Sequence, residues 1–560
     1  MRTLPDHPDL SFYRKEAKRL VREYREQDMN ALARVKASHP RYCETGEPEA
    51  GRRFSLHDAQ LVIAREHGLP SWPKLKHLIE FRTLDASDME QVFEQFKLSV
   101  NTENPERLRT LLAKYPALKA RLDEPVFAFN SSAVVFRKRN RELLEILLDA
   151  GADLHRKSDW WAGGFGVLDE NPEHADWLMS RGARLDAYSA ASLGKTPELL
   201  ELLNKDPAVV NQRFGDGQTP LHVAANAEIV SILLDAGADV SVRCLDHRST
   251  PIQYLIQDEQ SCRLLMEHGA EMDVFVACRL GDLKRVQHLA AEHQECLTHR
   301  VGEGDYRNES PAAEHIYTWK LMGMETPPRV AHTFGHRKLY EWLMNQSPPG
   351  QQFVEACWQA DRQRATRLLQ ENPEVLLKLD PAQKRALPGA VWEKRTSAVS
   401  LMLELGWDVN TRGVHDSTPL DRAAIRGQAE MVEQLLTYGP ELNPVNEFKG
   451  TPLSACLWGK IHFRDPDGNY VRTLRALLDA GCLCEHGDSP KGWIEMLWFA
   501  LRFEQFDTVP LLQPFCRDLN MVDDEGCTAL DLALMKGADD TAAFLREQQA
   551  KTSEELRPGS

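Results

Sequence analysis

No stretch of the chain approaches the ~18 consecutive apolar residues of a membrane-spanning helix. The first twenty residues also lack an apolar core, carrying Asp6, Asp9, Arg14, Lys15, Lys18 and Arg19 instead. Neither a membrane anchor nor a secretory leader is expected. Cysteine is sparse, with eleven scattered over 560 residues. A disulfide scaffold is short and cysteine-dense, so these thiols are expected to be reduced. Basic residues fall short of acidic ones, 68 Lys and Arg against 84 Asp and Glu, for a net charge of −16. That balance argues against binding nucleic acid along the whole chain. Together these absences predict a soluble cytoplasmic protein.

Catalytic signatures are missing as well. There is no His-Glu-x-x-His, no Gly-x-Ser-x-Gly and no kinase signature. Gly163-Gly-Phe-Gly166 is glycine-rich, but no Lys-Ser/Thr comes after it, and Trp160-Trp161 precede it. It therefore does not read as a phosphate loop. Asp465-Pro-Asp467-Gly-Asn469 begins like a calcium loop, yet Tyr470 and Ala476 stand where an EF-hand needs Gly and Glu. A surface β-turn is expected there. Cys482-x-Cys484-x-His486 offers ligand-like residues, but a structural zinc takes four ligands. Cys516 or Cys527 would have to be brought in by the fold. No catalytic residue, metal or cofactor is expected.

What is present is apolar material, 42% of residues, and a repeated pattern. At about 100–200 residues per domain the length allows three or four domains or one long array. Gly217-Gln-Thr-Pro-Leu-His-Val-Ala-Ala225 is followed by Ile232-Leu-Leu-Asp-Ala-Gly-Ala-Asp239. Ser417-Thr-Pro-Leu-Asp-Arg-Ala-Ala424 is followed by Gly427 and Val432-Glu-Gln-Leu-Leu-Thr-Tyr-Gly439. Thr-Pro opens a helix, the Ala pair lets a short inner helix pack closely, and the Leu pair belongs to an outer helix. Gly439 stands where a left-handed residue ends that helix.

This pattern resembles the ankyrin repeat. Alignment on the Thr-Pro position and the Leu pair puts anchors near 94, 130, 164, 185, 219, 250, 272, 326, 351, 385, 418, 451, 494 and 528. Many steps are 33 or 34 residues, the ankyrin period. Some are irregular. Thr219 to Gly237 is 18 residues where Thr418 to Gly439 is 21. Insertions fall near 297–325 and 462–470, and the array of roughly 10–14 repeats spans 85–550, with a polar tail, 551–560, after it. The resemblance implies an all-α solenoid of helix pairs with β-turn fingers, recognising other macromolecules, mostly proteins, and mostly not enzymatic.

Residues 1–84 differ. They hold 16 Lys and Arg against 12 Asp and Glu, while the remaining 476 residues hold 52 against 72. Apolar spacing predicts four helices, the third starting at Ser55 and ending at Gly68, the fourth capped by Ser71 with Pro73 in its first turn. With Asp58-Ala-Gln-Leu-Val-Ile-Ala-Arg-Glu-His-Gly68 and Ser71-Trp-Pro73, this stretch resembles a module that precedes bacterial ankyrin arrays. Its 55–80 segment has the helix–Gly–helix spacing of a DNA-reading motif. Pro70 and Pro73 crowd the turn, however, and Lys74 falls where a core residue is needed. An N-terminal cap near Val92–Leu112 is expected instead, because an uncapped repeat exposes half a core.

Two rows of residues stand out within the array. Seven residues after the anchor, on the concave side of the ankyrin architecture, lie Trp358, Trp392, Ile425 and Trp458. Large groups there either meet a partner or are covered by the chain itself, and exposed aromatic rows mark interfaces. Three residues before the anchor, at the finger tips, lie Trp161, His247, His415 and Phe448. The expected function is recognition of a protein or peptide through the groove by a monomeric scaffold. The acidic array and aromatic row favour a partner with Lys or Arg. A nucleic-acid or transcriptional adaptor using 55–80, or a small-molecule site or enzyme in the irregular repeats 156–330, stand as alternatives.

Overall fold

The computed structural model describes residues 4–5, 8–39, 42, 54–69, 72, 75, 79, 89–323, 325–484, 487, 489–523, 526–553 and 555–556. Among these the regular elements are helices and no strand forms, giving an all-α solenoid of helix pairs. Two compact units divide the chain: Asp85–Glu355, and Met1–Leu84 with Ala356–Ser560.

The Thr-Pro positions become helix starts. Thr418 and Asp421, and Thr451 and Ser454, exchange side-chain and backbone hydrogen bonds across the first turn. That reciprocal cap satisfies two amides a helix start leaves free, and the next residue, Pro, has no N–H to lose. Thr528 and Asp531 do the same without a Pro. At Thr219 the N–H donates to His222 Nδ1 at 3.0 Å, and His222 Nε2 lies 3.1 Å from the Ser249 carbonyl. Burial pushes this imidazole down to about 3, so it serves the backbone as a neutral ring. Outer helices begin at Asn226, Asp258, Asp361 and Asn469, each accepting from its own first turn. Gly237, at φ 86°, closes the outer helix Ala227–Asp235, and Ala238 N–H returns to the Leu233 carbonyl.

Irregular spacing appears as irregular helices. The short Thr219 repeat has a single 3-10 turn, Pro220–Val223, in place of an inner helix. No helix forms between Asp149 and Ala175, where the 164 anchor falls. At 94 and 494 the inner helices begin five and four residues earlier than the anchors, as Met89–Asn101 and Pro490–Arg502. In the first unit one continuous core runs from Ala187 to Met344. It takes in the first insertion through Tyr306, Ile316 and Tyr317, whose rings at 306 and 317 stand 4.8 and 5.3 Å from Phe275. The second insertion, 459–469, joins the inner helix Pro452–Trp458 to the outer helix Tyr470–Asp479. The tail folds back on the last repeat: Thr528 Oγ1 donates to the Lys551 carbonyl and Ser553 N–H to Asp531, both at 2.7 Å.

The N-terminal helices Leu10–Arg25, Met29–Ser38 and Leu56–Glu66 share a core drawn entirely from residues 13–79. Arg34 ties them together, reaching Glu66 at 2.7 and 2.8 Å and Glu16 at 2.9 Å. Beyond Gly68, Trp72, Leu75 and Ile79 are buried, at the spacing of one helix face. Ser71, Pro73 and Lys74, on which the fourth-helix and DNA-reading expectations partly rest, lie outside the described residues.

Candidate functional site

Trp358, Trp392, Ile425 and Trp458 are each the last residue of an inner helix, Pro349–Trp358, Ala386–Trp392, Pro419–Ile425 and Pro452–Trp458. Equal register does not give them equal surroundings. Trp358 is only 2% exposed. The expectation that it lines an open groove is therefore corrected. The next inner helix presents Gly389 toward it, where even an added Cβ would stand 3.5 Å from the ring. Arg395 closes over the indole at 5.1 Å and donates to the Trp358 carbonyl at 3.1 Å.

Trp392 and Ile425 are half-buried, and the second insertion does much of the covering. Phe463 stands edge-on to Trp392 at 5.4 Å. Gly459 passes so close to the Ile425 carbonyl that a Cβ there would lie 1.9 Å from its oxygen, which fixes glycine at the start of the insertion. Asp465 then anchors the loop. Its side chain is 1% exposed and accepts from Lys394 Nζ and Arg426 Nε, both at 2.7 Å. Burial pushes this carboxyl up, but the two cations pull it net below the usual carboxylate range. Lys394 also reaches Asp467 at 2.9 Å. The Asp-Pro-Asp run is thus a turn clamped to two inner helices by the chain's own cations. Arg426 and Arg422 also stand over the Trp392 ring, each at 5.2 Å.

Trp458 is left open, 46% exposed. Among the described residues no Lys or Arg of the chain stands over its ring. Beside it is a cavity of about 290 Å³ between the inner helices Pro452–Trp458 and Pro490–Arg502. Leu457, Met496 and Phe499 give it apolar walls, and Glu495, which lies 3.6 Å from Lys491, also lines it. Exposed Phe503 is linked to Trp458 through His462, whose ring is 4.9 Å from Trp458 and 5.7 Å from Phe503. Phe463, Phe499 and Phe503 escaped the repeat register. The i, i+4 pair Phe499 and Phe503 on one helix was the available signal.

The finger tips also divide. Phe448 is 70% exposed and packs at 5.1 Å on His415, which is exposed and lies 3.2 Å from Glu447. Val414 and Val445 are exposed nearby. Trp161 is exposed too, against Trp160 at 6.1 Å. His247 does not join them. Its side chain is 13% exposed because the first insertion lies over it, with Trp319 at 4.9 Å and the Glu314 carbonyl 2.9 Å from Nδ1. Its expected role as an open finger-tip contact is corrected.

The remaining motifs have structural uses. The amides of Gly163, Phe165 and Gly166 are taken by the Trp160 carbonyl, Ser158 Oγ and Asp169, so they are not free to cradle a phosphate. Cys482 and Cys516 are buried thiols pushed by burial up to about 12, and Cys516 Sγ donates to the Trp493 carbonyl at 3.4 Å. His486 lies outside the described residues. Among them no helix is long and apolar enough to cross a membrane.

Comparison with known proteins agrees with the architecture. The chain is 29% identical over 136 residues to human "Ankyrin repeat and SOCS box protein 11" and 28% identical over 136 residues to the mouse protein of that name. Each match takes in 24% of this chain and 38% of the relative's length. Residues 187–276 match the family model for ankyrin repeats in three copies, and this stretch is an ankyrin-repeat segment.

Proposed function

We propose that the chain is a non-enzymatic scaffold that binds a protein or peptide through the open end of its groove, around Trp458. Ankyrin repeats generally mediate protein–protein interaction, and the observation that carries the reading here is Trp458 itself. It is a large exposed ring with a 290 Å³ apolar cavity on one side and, among the described residues, no Lys or Arg on its face. Trp358 and Trp392 already hold the chain's own arginines. A partner segment would seat an apolar side chain among Leu457, Met496 and Phe499 and lay Lys or Arg over Trp458 next to Glu495. Cation–π contacts of this kind are worth ~0.5–2 kcal/mol each. Phe448 and His415 at the finger tips offer a second contact. Trp161 remains a proposed finger-tip contact of the other unit.

The test is selection of random peptides on the full chain, repeated on Trp458→Ala. Enrichment of Lys- or Arg-containing peptides that is lost in the variant supports the site. Enrichment of acidic peptides, or equal binding by the variant, contradicts it. Residues 1–84 we read as the cap of the array, acting in a soluble, cytoplasmic, monomeric protein. Their deletion should lower solubility and melting temperature. A truncated chain of equal stability would make them an independent domain.

A further inference from the structure

We propose that Asp216, Asp246 and His247 bind one divalent first-row transition-metal ion, which bridges two neighbouring finger tips beneath the first insertion. One ligand atom from each of these side chains lies within 4.8 Å of the others. Asp216 comes from the tip before Thr219, and Asp246 and His247 from the tip before Thr250. The tips are held in register because Leu245 and Asp246 N–H both donate to the Asp216 carbonyl, at 2.9 and 3.1 Å.

The histidine is set up as a ligand from outside the cluster. Its Nδ1 faces the Glu314 carbonyl at 2.9 Å, an oxygen that can only accept. Nδ1 therefore carries the proton, and Nε2 points its lone pair at the two carboxylates. Metal-bound histidines are oriented this way by a carbonyl on the far nitrogen. Asp246, with its side chain nine-tenths buried, is steadied by Ala313 N–H on Oδ1 at 3.1 Å, which leaves Oδ2 turned toward His247. Asn308 donates to the carbonyls of both His247 and Ala313 at 2.8 Å, tying the ligand loop to the insertion.

Distances separate a metal from a proton. Nε2 stands 3.8 Å from Asp216 Oδ2 and 4.0 Å from Asp246 Oδ2. A protonated ring would hydrogen-bond a carboxylate at ~2.7–3.2 Å. Two ligands sharing an ion at ~2.0–2.2 Å stand farther apart, up to about 4 Å. Among the described residues neither carboxylate has a Lys or Arg partner. Two largely buried carboxylates facing one imidazole nitrogen thus form an acidic pair that a divalent ion would neutralise. One nitrogen with two oxygens suits Zn2+, Co2+ or Mn2+ better than the all-oxygen preference of Ca2+.

Co2+ titration of the chelator-treated full chain, monitored by visible absorption, tests the site against the cysteines. Expected is one Co2+ per chain at micromolar affinity, with ligand-field bands and no thiolate charge-transfer band. Affinity should fall at least tenfold in both Asp216→Asn and His247→Ala. The near-isosteric Asp216→Asn removes a charge without cutting the fold, so it decides the matter if His247→Ala fails to fold. Binding weaker than about 1 mM, a thiolate band on the bound ion, or unchanged affinity in Asp216→Asn would overturn the assignment.

Discussion

Trp358 and Trp458 end their inner helices at the same register position, yet one is sealed in and the other is the most open ring of the row. The difference comes from the chain on the C-terminal side of each helix. After Trp358 the next repeat offers Gly389 and a covering Arg395. After Trp458 comes an insertion that turns back toward Trp392, leaving a cavity on the other side. Repeat position thus sets which way a side chain points, and the neighbouring repeat decides whether anything can reach it.

The largest expected effect lies at the sealed end. Trp358→Ala should destabilise the chain by ~3–5 kcal/mol, as other core aromatic truncations do, in denaturant unfolding. Near-neutral behaviour would break the comparison. Next comes the clamp between the two ends. Asp465→Ala leaves Lys394 and Arg426 without their shared carboxylate and should cost ~1.5–3 kcal/mol, the scale of hydrogen bonds to charged groups. It should also expose Trp392, seen as a red shift in its fluorescence.

Two carboxyls near the clamp respond to pH with opposite sign. Asp465 is held below its ordinary 3.8, so its contribution is present above that value and is lost as pH falls through its lowered native value. Burial pushes Asp421 up to about 6, so its native state favours the proton. Its contribution is full below 3.8 and is lost as pH rises through about 6. Asp421→Asn should therefore remove a loss of stability between about pH 4 and 6, by up to about 3 kcal/mol, measured as melting temperature against pH. A variant with an unchanged pH profile would contradict this. The smallest stability effect is expected at the open end, where Trp458→Ala should stay within ~0.5 kcal/mol of the parent.

Much of this was legible in the chain. Thr-Pro at 219, 250, 418 and 451 marked helix starts, the 18-residue spacing from Thr219 to Gly237 marked a trimmed inner helix or turn, and broken periods marked two insertions. Where the insertions travel was not legible, because they carry no repeat pattern and so no register. The second lies over Trp392 and the first over His247, each half-hiding a residue that the repeat register alone leaves open. Gly389 was the overlooked clue at Trp358, since a missing side chain in one repeat makes room for a large one from the repeat before. The Asp216–Asp246–His247 cluster was invisible for another reason: its two halves are about 30 residues apart and meet only when two fingers stack.

The central claim, that Trp458 is the open end of an otherwise self-covered row, is tested most directly by binding of one selected Lys- or Arg-bearing peptide to three proteins: the parent, Trp358→Phe and Trp458→Ala. Loss of a ring that a partner desolvates costs ~1.5–3 kcal/mol. Trp458→Ala should therefore weaken binding at least tenfold while Trp358→Phe leaves it unchanged. Equal weakening in both, or none in Trp458→Ala, would contradict the account.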